Sequence, residues 1–420
     1  ERARGLAAVV GDIAIDELER LDEDDDSYWL RTTVAECKLI QGDTQSAALL
    51  FQNASRAPDT TPGKKATTRR QLRRLAPFVE INHGWIDKAV PQSKVMFFSG
   101  PLAGKSVGET EKLIEDVVHD AEQFIDQNDI GWACGALASG SDIAIAETVL
   151  SAGVSLNVYL PLAPNDFLKS SVAAFGEEWR QRFIDCMRQA ASIEWNRRAP
   201  TATGAAYQLG ALVAMGKTIR HAEELQSEAV GFFAAQNNID GSESLSVANL
   251  ETWKKLGLAF QESRAVWPKK ERNAGAASPK LYFSLAAQRE GGDVAVKAPA
   301  HPAATIEMPD VGCVIWLFDQ VETVLNAAQE IKPTAVKEEL RLWLDAGVFN
   351  PAPDSGSADD AAASLITASC RPLTEPGGVF ASDVFVSAAA ACPQSERRFE
   401  YAGFANAQEK LDPCPLYLVR

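Results

Sequence analysis

The chain has 420 residues, of which 46% are apolar and 23% charged, and its formal net charge is −16. A chain of this length buries a sizeable core and is long enough for about two or three domains. The acidic balance opposes binding to a nucleic-acid backbone or to an anionic membrane over most of the surface. No apolar run approaches the roughly 18 residues that a membrane-spanning helix needs, and no signal-peptide pattern is visible, which predicts a soluble, cytoplasmic protein.

The cysteines and histidines argue against a metal site. The seven cysteines are scattered, odd in number and without a Cys-x-x-Cys pair, and the four histidines are isolated from one another. This pattern favours reduced thiols in a cytoplasm. We therefore predict no metal site.

Residues 1–78 have the pattern of helices. Trp29, the mid-turn Gly42, Ala47, Phe51 and the closing Pro58 resemble one tetratricopeptide-type helical hairpin. One such repeat cannot bury both of its faces, so we expect it to end an array that continues upstream. The resemblance implies a surface that docks a protein partner, and a helical cap packed on the next domain is the alternative. The basic run at residues 69–74 predicts a solvated helix face, and residues 79–93 a linker.

From Lys94 onward, short apolar runs alternate with helical stretches. Five strands are predicted, at residues 94–98, 129–134, 154–160, 192–195 and 227–233. Strands that alternate with helices predict a doubly wound parallel sheet. Such a sheet binds ligands beyond the carboxyl ends of its strands, where the loop at residues 240–244 would also lie.

A turn rich in glycine and serine at residues 135–142 joins the second predicted strand to a helix. Its main-chain N–H groups and the dipole of that helix are suited to a phosphate. The residues that we predict to bind the ligand, mainly through these amides and the loop after the first strand, are Ser99, Gly100, Gly135, Ser139, Gly140, Ser141 and Asp142. For Asp142 the favoured alternative is a carboxylate that caps the helix.

The run from Phe98 to Pro161, with its Gly-x-Ala-x-Gly-x-Asp-like turn, resembles the SLOG superfamily of nucleotide-binding folds. The resemblance implies a nucleotide-type ligand. In the phosphoribohydrolase branch it also implies cleavage of the base from a nucleoside monophosphate, with Glu147 at the spacing of the motif glutamate as the candidate acid or base. Ile143 and Ala144 stand where that motif has Gly and Thr, and a partly exposed helix acid is the alternative for Glu147.

Residues 280–420 carry an α+β pattern that resembles the later part of a class III nucleotide cyclase domain. The resemblance lies in residues 314–321, 340–349 and 372–382, and continues to residue 418.

Cyclisation needs two aspartates that hold metal ions, and an Asn and an Arg that steady phosphoryl transfer. At the matching positions this chain has Ser284 and Gly312 for the aspartates, and Leu365 and Ser369 for the other pair. We therefore expect a degenerate, catalytically dead cyclase-like domain, kept as a pairing surface or as a degenerate ligand sensor.

Together these patterns predict a multidomain α/β protein. It comprises a tetratricopeptide-like helical segment (residues 1–78), a doubly wound, Rossmann-like SLOG domain (91–260) and an α+β cyclase-like domain (280–420). The combination resembles a bacterial signalling architecture. Our first hypothesis is a regulatory protein that binds a nucleotide or nucleotide-derived ligand. A nucleotide N-glycosidase at the same cleft is second, and an active adenylate or guanylate cyclase is last.

The expected partners follow from these hypotheses. They are a nucleotide-type small molecule, a protein bound by the helical N-terminus and a second copy bound through the cyclase-like domain. No nucleic acid, no membrane and no certain cofactor besides the nucleotide ligand is expected.

Overall fold

The computed structural model describes residues 1–21, 27–102, 107–197, 202–234, 245–263, 280–289, 294, 296–308, 312–349, 375–393, 399–405 and 414–420. The chain forms two compact units: residues 1–95 with 221–228, and residues 96–220 with 229–420. In these described ranges no helix is both long and apolar enough to cross a membrane.

The first unit is largely helical. Its helices are α1 (Arg2–Leu18), α2 (Tyr28–Gln41), α3 (Thr44–Ser55), α4 (Pro62–Val79) and α5 (His83–Ala89). A helical hairpin, α2 and α3, stands where one was predicted. Helix α2 ends at Gly42, whose φ of 97° favours glycine, and Asp43 caps α3 by accepting from the Ser46 N–H at 3.0 Å.

One prediction for the first unit was wrong, and a second holds only in part, since Arg70, Gln71 and Arg74 of the basic run are exposed but Arg69 is not. The predicted linker contains helix α5, which begins where Asn82 accepts from the Trp85 N–H at 2.9 Å. In the basic run, Arg69 is only 4% exposed and donates to the carbonyl oxygens of Val90 and Gln226 at 2.6 and 2.8 Å. Arg69 lies three positions before the buried Leu72, so both lie on the inner face of α4.

The first of two sheets is the predicted parallel one, with six strands. They are β1 (Lys94–Ser99), β2 (Ile130–Gly135), β3 (Ser155–Leu160), β4 (Ser192–Trp195), β5 (Ala229–Phe233) and β6 (Ala259–Glu262), in the order β4-β3-β2-β1-β5-β6. The pairs β2–β3, β3–β4 and β5–β6 are parallel. Strand β6 was not predicted, since it is short and largely exposed.

Helices pack against both faces of this sheet. They are α6 (Val107–Asn128), α7 (Ser141–Ser151), α8 (Pro164–Ser171), α9 (Glu177–Gln189), α10 (Gly204–Glu224) and α11 (Leu245–Lys255). Helix α8 stands where the polar residues 163–169 predict a loop. On one face Met96 and Leu156 share a core with Val117 of α6 and Phe183 of α9. On the other face α10 and α11 contribute to a second core.

The second sheet has the order β12-β13-β11-β10-β7-β9-β8. Its strands are β7 (Lys280–Gln288), β8 (Ala304–Met308), β9 (Cys313–Phe318), β10 (Arg341–Phe349), β11 (Val379–Ser382), β12 (Phe399–Ala405) and β13 (Cys414–Val419), with helices α12 (Val321–Lys337) and α13 (Asp383–Ala390). Strand β8 and helix α13 were not predicted.

The two sheets share one apolar core. Phe97 and Tyr159 of the first sheet belong to the same cluster of buried side chains as Val213 of α10, Trp316 of the second sheet and Phe385 of α13. Helix α10 therefore packs on both the first sheet and the elements around the second.

Candidate functional site

The strand order of the parallel sheet reverses at β1. Strands β2, β3 and β4 extend from one side of β1, while β5 and β6 lie on its other side. In open α/β sheets the ligand crevice lies beyond the carboxyl ends of the strands at such a switch point. Here that point falls at Ser99 and Gly100, where the Ala234 N–H after β5 donates to the Ser99 carbonyl oxygen at 3.0 Å. The Ser99 hydroxyl accepts from the Asn249 side chain at 3.0 Å.

The turn after β2 lies against this point. The Gly100 N–H donates to Asp142 Oδ1 at 2.8 Å, and the Ser141 hydroxyl donates to the Pro101 carbonyl oxygen at 2.7 Å. A β-bridge joins Leu102 to Gly140. Side chains are excluded at Gly100, since a Cβ atom there would lie 2.1 Å from Ser141 Oγ. The structure thus places Ser99, Gly100 and the residues of the turn at one edge.

Gly135, which we also predicted to bind the ligand, lies against the core rather than at the edge of the sheet. It is the last residue of β2, and a Cβ atom there would lie 2.5 Å from the Phe98 ring. Its lack of a side chain therefore makes room for Phe98 in the core beneath the turn.

Two of the main-chain N–H groups that we predicted to bind phosphate, those of Ser139 and Ser141, are engaged within the protein. The Ser139 N–H donates to the Ser171 carbonyl oxygen at 3.0 Å, and the Ser141 N–H to that of Pro101 at 3.4 Å. The Asp142 carboxylate accepts from Gly100 and, at 3.4 Å, from the Ala138 N–H. In this conformation the Asp142 carboxyl group lies at the start of α7 and accepts the hydrogen bonds that a phosphate would take there.

The expected helix-capping role of Asp142 was wrong. The N-cap position of α7 is Gly140, with φ 104° and no side-chain cap, and Asp142 lies in the first turn of the helix. Its carboxylate reaches across to residue 100, which is 42 positions away in sequence. A contact of that range cannot be read from the local pattern that suggested a cap.

Ser139 carries a hydroxyl that has no hydrogen-bond partner among the described residues, although the residue is 0% exposed. Ser171, whose carbonyl oxygen accepts from the Ser139 N–H, has its hydroxyl hydrogen-bonded to the Tyr207 hydroxyl at 2.6 Å. A buried polar group without a partner costs about 1–3 kcal/mol. Such a group calls for an explanation, and a binding role is one.

Asp142 has an unusual proton affinity. Burial raises the pKa of its carboxyl group to about 7, against the lowering effect of the Gly100 and Ala138 N–H groups. Burial removes water from the charged form, and two amide hydrogen bonds do not replace that hydration fully.

The raised pKa of Asp142 makes the stability of the protein depend on pH. In the unfolded chain it titrates near its ordinary pKa of 3.8, whereas in the folded protein it holds its proton up to about pH 7. The folded state therefore binds the extra proton between these values, and stability falls as pH rises through this window. Asp142→Asn removes the titration. We expect the melting temperature of the wild type to fall relative to Asp142→Asn between about pH 5 and about pH 8, from a free-energy effect on the order of a few kcal/mol.

Thermal unfolding of both proteins at both pH values measures this effect. The comparison isolates Asp142, because every other titrating group is common to the wild type and the variant. An equal gap between the two melting temperatures at both pH values would contradict the assignment.

Glu147, the candidate acid or base, is paired with an arginine. Its two carboxylate oxygens accept from Arg182 of α9 at 2.9 and 2.6 Å. The Arg182 guanidinium also lies 4.3 Å from the centre of the Trp179 ring, and the hydrogen bond with Glu147 raises the pKa of Arg182. A bidentate pair of this kind fixes the position of both side chains. It also leaves the Glu147 carboxylate fewer free lone pairs for a substrate.

Leu365 and Ser369, two positions of the cyclase resemblance, lie outside the described residues, and so does the loop at residues 240–244. Ser284 is buried in β7, directly across from Asp345 of β10. No group of three or more His, Cys, Asp or Glu side chains that could hold a metal ion occurs in the described part of the chain.

Sequence analysis missed a buried acid in the second sheet. Asp345 is 4% exposed, and its Oδ1 atom accepts from the Ser382 hydroxyl at 2.6 Å and from the Ala346 N–H at 2.9 Å. The alternation of Leu342 and Leu344 indicates which face of β10 packs on the helices, but it does not reveal that the opposite face is buried too.

Comparison with known proteins adds little. No protein-family model and no curated protein matches the chain. Among solved structures, pyruvate carboxylase of Rhizobium etli (T882A variant, with the allosteric activator acetyl coenzyme A) is similar at 9% identity and a TM-score of 0.16. That similarity covers 51% of this chain and 17% of the carboxylase chain. A TM-score this low does not indicate a shared fold.

Proposed function

We propose that the protein is a regulatory protein that binds a nucleotide or nucleotide-derived ligand at the carboxyl edge of its parallel sheet. The observation that carries the proposal is the Ser139 hydroxyl, which is buried without a partner among the described residues, in the turn that contacts Gly100 at the switch point. The start of an α-helix and a strand-order reversal meet there, as in nucleotide-binding α/β proteins.

The contacts of Asp142 support the proposal that an anion binds at the start of α7. Its carboxylate accepts from the main-chain N–H groups of Gly100 and Ala138, so these groups already face a negatively charged oxygen. A ligand phosphate would accept the same hydrogen bonds once the Asp142 side chain moves aside. Because the pKa of Asp142 is about 7, its carboxyl group can take up a proton near neutral pH, which reduces its repulsion of the phosphate.

Binding is favoured over the alternative, hydrolysis of an N-glycosidic bond. The candidate acid or base, Glu147, has both oxygens engaged by Arg182. A general acid or base must reach the proton that it transfers, and this pair would first have to open.

The C-terminal sheet supports the cyclase-like interpretation of residues 280–420. Four neighbouring strands, β10-β7-β9-β8, pair in antiparallel fashion, with β7 and β10 separated in sequence by the β8–β9 hairpin and α12. This order is typical of a split βαβ sheet. Between β7 and β8 the described residues contain no helix, so the resemblance would be to a shortened domain. We propose that this region, with Ser284 and Gly312 at the metal positions, is catalytically dead and serves assembly, while the helical N-terminus docks a protein partner.

A thermal-shift panel tests the proposed function. AMP, ATP, GTP and a cyclic dinucleotide are added separately, and a ligand at about 100 times its Kd adds roughly 2.7 kcal/mol of stability. We expect Ser139→Ala to abolish most of that shift. The unliganded variant should be as stable as the wild type or more stable, because it no longer buries an unpaired hydroxyl.

Ser284→Ala is the matched control, since Ser284 is a buried serine in the other sheet. Its ligand-induced shift should equal that of the wild type. No shift with any nucleotide, or an unchanged shift in Ser139→Ala, would overturn the proposal. Release of free base from AMP, lost in Glu147→Ala, would favour the hydrolase instead.

A further inference from the structure

Helix α1 turns small residues inward and large apolar residues outward. Its buried residues are Ala7, Gly11 and Ala14, and a Cβ atom at Gly11 would lie 3.2 Å from Cys37 Cβ of α2. Its exposed large apolar residues are Leu6 (65% exposed), Val9 (56%), Val10 (38%), Ile13 (62%) and Ile15 (38%), and the first four form a stripe at helical spacing. A stripe of this kind is typical of a helix that packs against a partner on its outer face.

Charges stand at the two ends of this stripe. Arg2 lies one turn before Leu6, and Glu17 lies one turn after Ile13. The stripe is therefore symmetric in sequence. A basic residue, an apolar residue, two central valines, an apolar residue and an acidic residue follow one another at helical spacing.

We propose that this stripe, defined by Arg2, Leu6, Val9, Val10, Ile13 and Glu17, is an interface between two copies of the protein. When two such helices lie antiparallel about a two-fold axis between Val9 and Val10, Leu6 of each copy faces Ile13 of the other. The same operation sets Arg2 of each copy opposite Glu17 of the other. A self-complementary surface of this kind is what an isologous dimer requires.

The size of the stripe sets the strength of the contact. Arg2 and Glu17 lie about 22 Å apart along a helix that rises about 1.5 Å per residue. With four large apolar side chains from each copy, the interface falls below the roughly 1,200 Å² of a stable complex. We therefore expect a weak dimer, with a Kd in the micromolar range.

The charged ends provide the test. Sedimentation equilibrium on the whole chain measures the dimer Kd for the wild type, Arg2→Glu, Glu17→Arg and the double variant that carries both changes. Each single change places like charges opposite each other, and we expect a Kd at least about 5-fold weaker. The double variant restores the opposite pairing and should return to within about 2-fold of the wild type.

The controls separate this interface from others. Asp12→Arg changes an exposed charge on the same helix away from the stripe and should leave the Kd within about 2-fold. Arg20, which pairs with Glu17 at 3.0 Å, is exposed, so Glu17→Arg should not unfold the helix, as circular dichroism would verify.

A monomer at all concentrations means that the stripe has another occupant. A dimer that is insensitive to the single changes uses another surface, such as the C-terminal sheet. Either result, or a double variant that stays weak, would overturn the proposal.

Discussion

Asp383→Ala is expected to lower the free energy of unfolding by about 3–5 kcal/mol, because it leaves two buried cations without their shared partner. Asp383 begins α13, and its carboxylate accepts from Lys217 Nζ at 2.9 Å and from Arg220 Nη1 at 2.8 Å. All three side chains are at most 20% exposed. Burial alone would raise the pKa of Asp383, but Lys217 and Arg220 lower it to about 2. Chemical denaturation of the wild type and the variant measures the loss.

Glu194→Ala is the matched control for this change. Glu194 binds the same Lys217 at 3.0 Å, but its side chain is 53% exposed. Exposed ion pairs contribute at most about 1 kcal/mol, so we expect a loss no larger than that. Equal losses in the two variants would show that burial of the Asp383 cluster does not govern its strength.

Gly216→Ala is expected to destabilise the protein by at least about 2 kcal/mol, at the upper part of the range for overpacked sites. Gly216 lies on α10 where that helix meets α13. A Cβ atom there would lie 1.6 Å from the Ser387 carbonyl oxygen. That oxygen belongs to the backbone, so a helix rather than a side chain would have to move. The melting temperature and the urea midpoint measure the effect.

Gly204→Ala, on the same helix, provides the comparison. Nothing lies within 4 Å of a Cβ atom at Gly204. Gly204 is the first residue of α10, where alanine also restricts the unfolded chain more than glycine does, so this variant should be neutral or slightly more stable. If both alanines stabilise the protein, the close contact between α10 and α13 is not present in solution.

The two large effects have a common structural reason. Helix α10 contacts α13 through Gly216 and Ser387, and through the cluster around Asp383, whose oxygen also accepts from the Tyr417 hydroxyl at 3.2 Å. Because the two sheets also share one apolar core, we infer that they unfold together.

The periodicity of the sequence was sufficient to predict most elements of the fold. Strand β4 was predicted at its observed bounds, and β1, β2, β3 and β5 within two residues, because each is a short apolar run between turn residues. The elements missed were short or weakly patterned. Strand β6 has four residues, mostly exposed, and α5 has seven. Tertiary contacts rather than local propensity decide such segments.

The sequence was sufficient to predict which segments meet at the edge of the sheet, but not the side-chain contacts that they make there. Ser99, Gly100 and Ser141 meet because the carboxyl ends of parallel strands share one edge, which alternation of strands and helices implies. That Asp142 would accept from Gly100, and that Arg182 would hold Glu147, depends on side-chain contacts across 42 and 35 positions. The role of Gly216 was equally hidden, since a helical glycine reveals its partner only once two helices are packed.

Backbone hydrogen exchange with and without nucleotide tests the ligand site most directly. If AMP, ATP, GTP or a cyclic dinucleotide binds as proposed, peptides that cover residues 99–102 and 139–142 should exchange more slowly at saturating ligand, while peptides from α12 should not change. The same slowing should be lost in Ser139→Ala. Unchanged exchange in both segments with every nucleotide, or a change confined to other parts of the chain, would contradict a phosphate site at the start of α7.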